Sequence, residues 1–329
     1  MNRICFHIGF PKTGSTSLQE SIYSHLNELD LLNYLGKNVG TANSIDSFER
    51  SIRELWLNNK PFPISKDNLL EANLNLFSDE EILSPPAYLK HKYGEKSDSS
   101  KAAERLKEFC DSNNVQGKII IVLRKQESLI YSWYAQYYRY FQNSTSENTI
   151  NKHVFQQDGT IKDWLKYYKF DEVVMTYIRL FGSENCKVLL FESFVNEKEN
   201  FYSELFDFLE IPIEDINSIV TKTDHLNKKN KNKSNYQVEI RENNGLLQKI
   251  SRLVPFGIKQ TLLKHHFISS SKEFILNAIL KLRKKKIVEI EGFTENQKLE
   301  VFDFFKESNS NLYKLNIIDQ TKLEKYKYI

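Results

Sequence analysis

The sequence predicts an α/β fold with three layers, α/β/α, around a central parallel sheet, followed by a C-terminal helical region. Short apolar segments alternate with longer amphipathic ones through the first two-thirds of the 329 residues. Several apolar segments are unbroken aliphatic runs, which are typical of parallel strands covered on both faces. A loop with two glycines follows the first apolar segment and leads into a helical pattern.

Five segments are predicted strands. The clearest is Lys118–Leu123, which has five consecutive aliphatic residues, four of them β-branched. The others are Arg3–Ile8, Leu32–Leu35, Leu74–Phe77 and Lys187–Phe191. Ligands of parallel sheets bind at the carboxyl ends of the strands, so the residues that follow each strand are candidates for a site.

Helices are predicted between and after these strands. In the first of them, Leu18, Ile22, Leu26 and Leu29 recur on one face. The predicted helices are Ser15–Leu29, Ser47–Leu57, Ser99–Cys110, Gln126–Phe141, Ile161–Phe181 and Phe201–Leu209.

The pattern changes after Pro212. A Lys/Asn-rich loop is predicted first, then two apolar helical stretches with basic edges, then a last helix. These segments are Thr221–Asn235, Gly245–Leu263, Phe274–Leu282 with the basic end Arg283–Lys286, and Glu295–Ser308. We therefore divide the chain into a core (residues 1–220), a basic loop and helical insertion (221–292) and a C-terminal helix that returns to the core (293–329).

The composition is 40% hydrophobic and 27% charged, which suits a globular protein. No apolar run approaches the roughly 20 residues that span a bilayer, and no leader peptide is predicted before the first strand. Cys5, Cys110 and Cys186 lie far apart, so neither a disulfide framework nor a zinc site is predicted. These features predict a cytoplasmic protein.

The net charge of +3 is unevenly distributed along the chain. Residues 222–286 hold 16 Lys/Arg and 4 Asp/Glu, so this window carries +12 and the remainder −9. Such a basic block indicates either an anionic partner or a solvated helical surface.

The loop Gly9–Thr16 resembles the P-loop of nucleotide hydrolases, G-x-x-x-x-G-K-[ST], but Ser15 occupies the lysine position. A lysine stands at position 12 instead. Glycines let backbone N–H groups approach an anion, and the positive end of the following helix favours phosphate. We therefore expect a phosphate ligand other than ATP, bound by Pro11, Lys12, Thr13, Gly14, Ser15 and Thr16.

A second phosphate site is predicted after the buried strand Lys118–Leu123. Arg124 ends this strand, and Ser132 lies eight residues later, in the next helix. Together they could clamp a phosphate that is remote from the first one. A structural ion pair is the alternative for Arg124.

These two motifs resemble the sulfotransferases that use 3′-phosphoadenosine 5′-phosphosulfate (PAPS), especially bacterial and glycan-acting members. The family's 5′ loop reads approximately G-x-P-K-[TSA]-G-[ST]-[ST]-x-L, which Gly9–Leu18 match, and its 3′ site has the spacing of Arg124 and Ser132. Phe191-Glu192 and Phe208–Ile211 match later motifs, whereas Gln126 departs from a common proline. The resemblance covers about residues 1–211 and implies a P-loop-like fold, PAPS as donor and PAP as product.

The resemblance also implies roles for single residues. Lys12 would neutralise the charge that develops on the leaving phosphate, so no metal is expected. The acceptor hydroxyl needs a general base, and the S-x-E pattern of glycan-acting relatives points to Glu80. Glu81 remains an alternative, as does a helix-start role for Glu80. The nearest histidine, His91, is less well placed.

The implied acceptor is a saccharide or glycolipid hydroxyl. Aromatic residues that could stack on a sugar, or belong to the core, are Trp133, Tyr134, Tyr137 and Tyr138. The basic loop Asn227–Lys233 could close over the nucleotide or be solvated. Residues 245–286 could shape the acceptor site, or dock on the anionic inner face of a membrane.

Two other functions remain open from the residues alone. A P-loop kinase of small molecules or polysaccharides is disfavoured by Ser15 and by the lack of a clear magnesium carboxylate at a strand end. A non-enzymatic nucleotide- or nucleic-acid-binding protein is disfavoured because the basic block has no recognisable nucleic-acid-binding motif, so nucleic acid is not an expected partner.

Overall fold

The computed structural model describes residues 2–35, 66–71, 74–83, 99–141, 150–212, 237–241 and 285–329. Several predicted features lie outside these residues: the helix Ser47–Leu57, His91, the loop Thr221–Asn235, and the stretches Gly245–Leu263 and Phe274–Leu282. The chain divides into two compact units. The first is Met1–Trp133, His153–Asn232 and Phe293–Ile329; the second is Tyr134–Lys152 and Lys233–Gly292.

A five-stranded, all-parallel sheet with the order β2-β3-β1-β4-β5 forms the centre of the first unit. Its strands are β1 (Arg3–His7), β2 (Asn33–Tyr34), β3 (Leu74–Ser78), β4 (Gln116–Leu123) and β5 (Cys186–Leu190). The five predicted strands are therefore confirmed, with their ends shifted by no more than two residues.

The helices follow the strands in the predicted order. Helix α1 is continuous over 15–28 and consists of Ser15–Ser17, a π-helical turn Leu18–Tyr23 and Ser24–Glu28. The others are α2 (Ser99–Asn113), α3 (Gln126–Phe141), α4 (Ile150–Val154), α5 (Phe170–Phe181), α6 (Phe191–Asn196), α7 (Lys198–Leu209), α8 (Glu295–Lys314) and α9 (Gln320–Lys325).

Helices cover both faces of the sheet. Successive residues of a strand point to opposite faces, so neighbouring residues contact different helices. Cys5 belongs to a buried cluster with residues of α1 and α7, whereas the ring of Phe6 packs at 6.5 Å against Phe109 of α2. In β4, Ile120 and Val122 join the same cluster as Cys5. The predicted three-layer α/β fold is confirmed.

One predicted helix is broken. The segment Ile161–Phe181 contains a 3₁₀ turn, Asp163–Tyr168, and α5, separated by Lys169 in an extended conformation. Tyr168 and Phe170 flank Lys169, and both are buried against Phe10, with ring centroids at 5.8 and 5.1 Å. Because Lys169 is extended, the rings of Tyr168 and Phe170 both pack against Phe10.

The last predicted helix continues beyond Ser308 to Lys314. Ser308-Asn309-Ser310 are weak helix formers, so local propensity does not favour this extension. In the structure Ser308 and Asn309 are buried and hydrogen-bonded, to Asp171 and to Gln126 respectively. Tertiary contacts therefore outweigh local propensity.

The second unit contains an antiparallel strand pair, β6 (Gln237–Arg241) and β7 (Lys285–Glu289), that the sequence analysis missed. It placed Lys285 and Lys286 at the end of a helical stretch, and this was wrong. The β-branched Ile287 and Val288 that follow favour a strand. No helix in the described part of the chain is long and apolar enough to cross a membrane.

Candidate active site

Three neighbouring strands bring the predicted site residues to one edge of the sheet. The loop Gly9–Thr16 follows β1, Glu80 follows β3 and Arg124 follows β4. The register pairs His7 with both Ser78 and Ile120, so the three strands end close together. The carboxyl edge of a parallel sheet is where ligands bind.

Left-handed backbone at two positions shapes the loop. Lys12 has φ 74° and Gly14, which caps α1, has φ 86°. Left-handed residues in such a loop make a concavity of backbone N–H groups that binds anions. The hydroxyl of buried Thr13 donates to the carbonyl of Phe10 at 2.5 Å, so this side chain holds the loop from within.

The remaining predicted loop residues differ in exposure. Ser15 is buried, Thr16 is exposed, and Pro11, Lys12 and Gly14 are half-buried. The loop is therefore anchored at Thr13 and Ser15 and open at Thr16. It leads directly into α1, whose first turn is closed by the N–H of Leu18 donating to the carbonyl of Gly14.

Arg124 contacts the loop directly. Its guanidinium donates to the carbonyl of Lys12 at 2.9 Å and lies 4.6 Å from the centre of the Phe191 ring. Burial lowers the pKa of Arg124, and the nearby charge of Glu192 counteracts this effect. The structure thus brings Arg124, from the second predicted phosphate site, into contact with the loop of the first.

Glu192 fixes the connection that carries Arg124. Its carboxylate accepts from the backbone N–H of Lys125 at 2.9 Å and from the hydroxyl of Tyr328 at 3.0 Å. Tyr328 is fully buried, and burial, together with Glu192, raises the pKa of its phenol. Next to it, Asn309 donates to the carbonyl of Tyr328 at 2.9 Å and accepts from Gln126 at 2.7 Å.

Ser132 lies half-buried in α3, eight residues after Arg124. It shares a face of this helix with Ser128, which is also half-buried, whereas Leu129 and Trp133 are buried. The serine face of α3 is therefore not part of the core.

Glu80 is the first residue of a 3₁₀ turn, Glu80–Leu83, and is half-buried. One of its carboxylate oxygens, Oε2, accepts from the side-chain amide of Gln19 at 2.9 Å. Since Gln19 belongs to α1, Glu80 is linked to the helix that begins at the loop. Glu81 is the next residue of the same turn.

The family model for the sulfotransferase domain matches residues 5–286, most of the chain. This chain belongs to the sulfotransferase family. The resemblance inferred from the loop, Arg124 and Ser132 is therefore confirmed, and the protein is a sulfotransferase.

Solved structures of other sulfotransferases are similar to this one at low identity. The enzyme from Alicyclobacillus acidocaldarius is 15% identical, with a TM-score of 0.39, over 70% of this chain and 92% of that chain. Mouse sulfotransferase SULT7A1, solved in complex with PAP, is 17% identical, with a TM-score of 0.37, over 71% of this chain and 68% of its own. No curated protein matches the chain.

The aromatic residues considered for sugar stacking are partly core residues of this sulfotransferase. Trp133 is 7% exposed and packs on Trp164, with ring centroids 5.3 Å apart, and Tyr134 is 1% exposed. Burial of this extent is typical of core residues. Tyr138 contacts Tyr134 edge-on at 5.7 Å, and the side chain of Tyr137 is not among those described.

Sequence reasoning missed several residues around the site. Phe191 and Glu192 were noted as a family motif without a role, and Tyr328 gave no signal because its partner is 136 residues away. Gln126 was considered only as a departure from proline. Gln19 follows the loop motif directly, and a polar residue on the apolar face of a helix was the signal that could have identified it.

Proposed function

We propose that this sulfotransferase takes the sulfuryl group from PAPS and transfers it to a hydroxyl of a saccharide or glycolipid, releasing PAP. The observation that carries the proposal is the hydrogen bond from Arg124 to the carbonyl of Lys12. PAPS has a phosphosulfate at its 5′ end and a separate 3′-phosphate. A loop with anion-binding backbone and an arginine in contact with it suit these two groups.

The residues divide the binding of the donor between them. Backbone N–H groups of Lys12, Thr13 and Gly14, with the exposed hydroxyl of Thr16, would hold the 5′ phosphates. Arg124 and Ser132 would hold the 3′-phosphate. Arg124 is well suited, because its guanidinium is already fixed by the Lys12 carbonyl and the Phe191 ring, so little side-chain entropy is lost on binding.

Catalysis needs a base and a positive charge. Glu80 would take the proton of the acceptor hydroxyl while the oxygen of that hydroxyl forms a bond to sulfur. The bond from sulfur to the bridging oxygen breaks at the same time, and the ammonium of Lys12 stabilises the charge that develops on that oxygen. Lys12 thereby supplies a positive charge without a metal ion.

The preference for a saccharide or glycolipid rests on the acidic base, since buried Trp133 and Tyr134 no longer support it. We expect a bacterial enzyme, so a screen of radiolabelled PAPS against cell-envelope polysaccharides and glycolipids would identify the acceptor.

We also propose a cytoplasmic enzyme whose basic segment 245–286 contacts the anionic inner face of a membrane. Salt-sensitive flotation with liposomes of anionic lipid is expected, and no flotation would contradict this.

One experiment separates this function from a P-loop kinase and from a nucleic-acid-binding protein. Thermal stability is measured with PAP, with ATP and magnesium, and with an oligonucleotide. We expect stabilisation by PAP, because ligands that bind the folded state raise its stability. Stabilisation by ATP and magnesium but not by PAP would contradict the proposal, and so would wild-type turnover in Glu80→Gln.

A further inference from the structure

A chain of polar side chains leads from the core to Glu80. His7 Nδ1 lies 2.8 Å from the hydroxyl oxygen of Ser78, and the amide nitrogen of Gln19 donates to the same oxygen at 3.0 Å. The same nitrogen donates to Glu80 Oε2 at 2.9 Å. His7 and Ser78 are 0% exposed and Gln19 is 4% exposed, whereas Glu80 is half-buried.

The position of Gln19 favours an apolar residue on packing grounds alone. It lies one residue after Leu18 and one turn before Tyr23, and both are fully buried. Burying an amide costs about 1–3 kcal/mol unless its hydrogen bonds are made. The amide of Gln19 is buried and donates to both Ser78 and Glu80. This arrangement indicates that the orientation of the amide serves the site.

The backbone of α1 holds Gln19 in place. The turn Leu18–Tyr23 is π-helical, and the carbonyl of Gln19 accepts from both the backbone N–H and the hydroxyl of Ser24, the latter at 2.9 Å. Turns of this kind interrupt α-helices frequently at functional sites. The hydrogen bonds from Ser24 fix the backbone carbonyl of Gln19, and the side chain of Gln19 contacts Ser78 and Glu80.

The hydroxyl of Ser78 joins the two ends of the network. The hydroxyl of Ser78 accepts from Gln19 and shares a second hydrogen bond with Nδ1 of His7. His7 is neutral because burial lowers its pKa to about 3. A neutral imidazole can donate or accept at Nδ1, and in either case the bond to His7 holds the Ser78 oxygen that accepts from Gln19. Gln19 in turn donates to Glu80.

We propose that Gln19 is a positioning residue, whose amide holds the carboxylate of Glu80 in the orientation in which it takes the proton from the acceptor. This inference rests on the proposed function, in which Glu80 is the base. Gln19 belongs to the helix that begins at the loop, so a single helix sets the base relative to the donor. Small displacements of a catalytic group lower rates strongly.

Gln19→Met tests the proposal, since methionine keeps the length of the side chain and removes both donors. With radiolabelled PAPS and cell-envelope polysaccharides and glycolipids, we expect the rate at saturating PAPS to fall about 10- to 100-fold. The Kd for PAP and the KM for PAPS stay within about twofold. Gln116→Met is the matched control, because Gln116 is exposed at the opposite end of β4, and its rate stays unchanged.

Ser78→Ala is the second variant, since it keeps the bond from Gln19 to Glu80 but removes the group that orients it. We expect a smaller loss of rate, about 3- to 10-fold, again without loss of PAP affinity. A parallel loss of PAP affinity and rate in both variants would make the role of Gln19 structural and overturn the proposal.

Comparison with Glu80→Gln separates this inference from the proposed function. If Gln19 acts through Glu80, Gln19→Met lowers the residual rate of Glu80→Gln no further, because the two changes remove one interaction. A wild-type rate in Glu80→Gln would contradict the base assignment itself. An inactive Glu80→Gln beside a fully active Gln19→Met would contradict this inference alone.

Discussion

The guanidinium of Arg124 donates a hydrogen bond of 2.9 Å to the carbonyl of Lys12. This bond joins the segment after β4 to the loop after β1. The residues expected to hold the two ends of the nucleotide are therefore directly hydrogen-bonded. A substitution in one segment should alter nucleotide binding by the other.

Arg124→Ala should weaken PAP binding more than AMP binding, because AMP lacks the 3′-phosphate. We expect PAP affinity to fall about 30- to 100-fold, the loss of a charge-assisted contact, and AMP affinity to fall only a few-fold. Isothermal titration with both nucleotides measures this, and Arg179→Ala, at an exposed position of α5, is the control. Equal losses of affinity for PAP and AMP would mean that Arg124 holds the loop but does not bind the 3′-phosphate.

Gly14→Ala should disturb the loop by two effects. Gly14 has φ 86°, which costs an L-residue about 1–2 kcal/mol, and a Cβ there would lie 3.2–3.3 Å from the rings of Phe191 and Phe194. Gly159→Ala is the matched control, because Gly159 has φ 84° but no atom within 4 Å of the added Cβ. We expect both variants to melt earlier, but only Gly14→Ala to lose PAP affinity.

If the two variants lost the same stability and bound PAP equally well, the packing of Gly14 against Phe191 would not matter for the loop. Titration with PAP at a temperature where both variants are folded distinguishes these outcomes.

Tyr328→Phe should loosen the connection that carries Arg124. The change removes the hydroxyl that donates to Glu192 at 3.0 Å in a buried site, and we expect a loss of about 2 kcal/mol in the free energy of unfolding. PAP affinity should fall a few-fold as Arg124 becomes less fixed. Tyr313→Phe makes the same chemical change at an exposed bond to Glu324 and should alter neither quantity. Unchanged PAP binding in Tyr328→Phe would mean that the bond between Tyr328 and Glu192 does not affect how Arg124 binds the nucleotide.

His7 should make the protein less stable in mild acid. Burial lowers its pKa from 6.5 to about 3, so between these values the unfolded chain binds a proton that the folded chain excludes. The contribution of His7 to the free energy of unfolding is therefore fully present above pH 6.5 and falls by up to about 1.4 kcal/mol per pH unit below it. Tyr23, whose ring centre lies 5.5 Å from that of His7, stays neutral because burial raises its pKa.

The measurement is chemical denaturation at pH 7 and pH 5 for the wild type and His7→Gln. The variant should be less stable at pH 7 but lose less on acidification than the wild type. Equal losses in both proteins would mean that His7 is protonated in the folded state.

The sequence predicts the parts of this fold that depend on local pattern. The aliphatic run of β4 and the glycine loop before α1 locate the sheet edge and the site. The network His7–Ser78–Gln19 could not be predicted, because its members come from β1, β3 and α1, and pairing depends on strand order. Tyr328 reaches Glu192 only through tertiary packing. Strand β7 was missed because its first lysines were read as the basic end of a helical stretch, and no element was predicted where β6 lies.

We propose that Lys12, displaced from the usual position of a P-loop lysine, stabilises sulfuryl transfer from PAPS. The most direct test is the rate of radiolabel transfer from PAPS to cell-envelope polysaccharides and glycolipids by the wild type, Lys12→Met and the exposed control Lys166→Met. We predict transfer by the wild type and the control, and a loss of about 100- to 1,000-fold in Lys12→Met with PAP still bound. Wild-type transfer by Lys12→Met would contradict this role of Lys12.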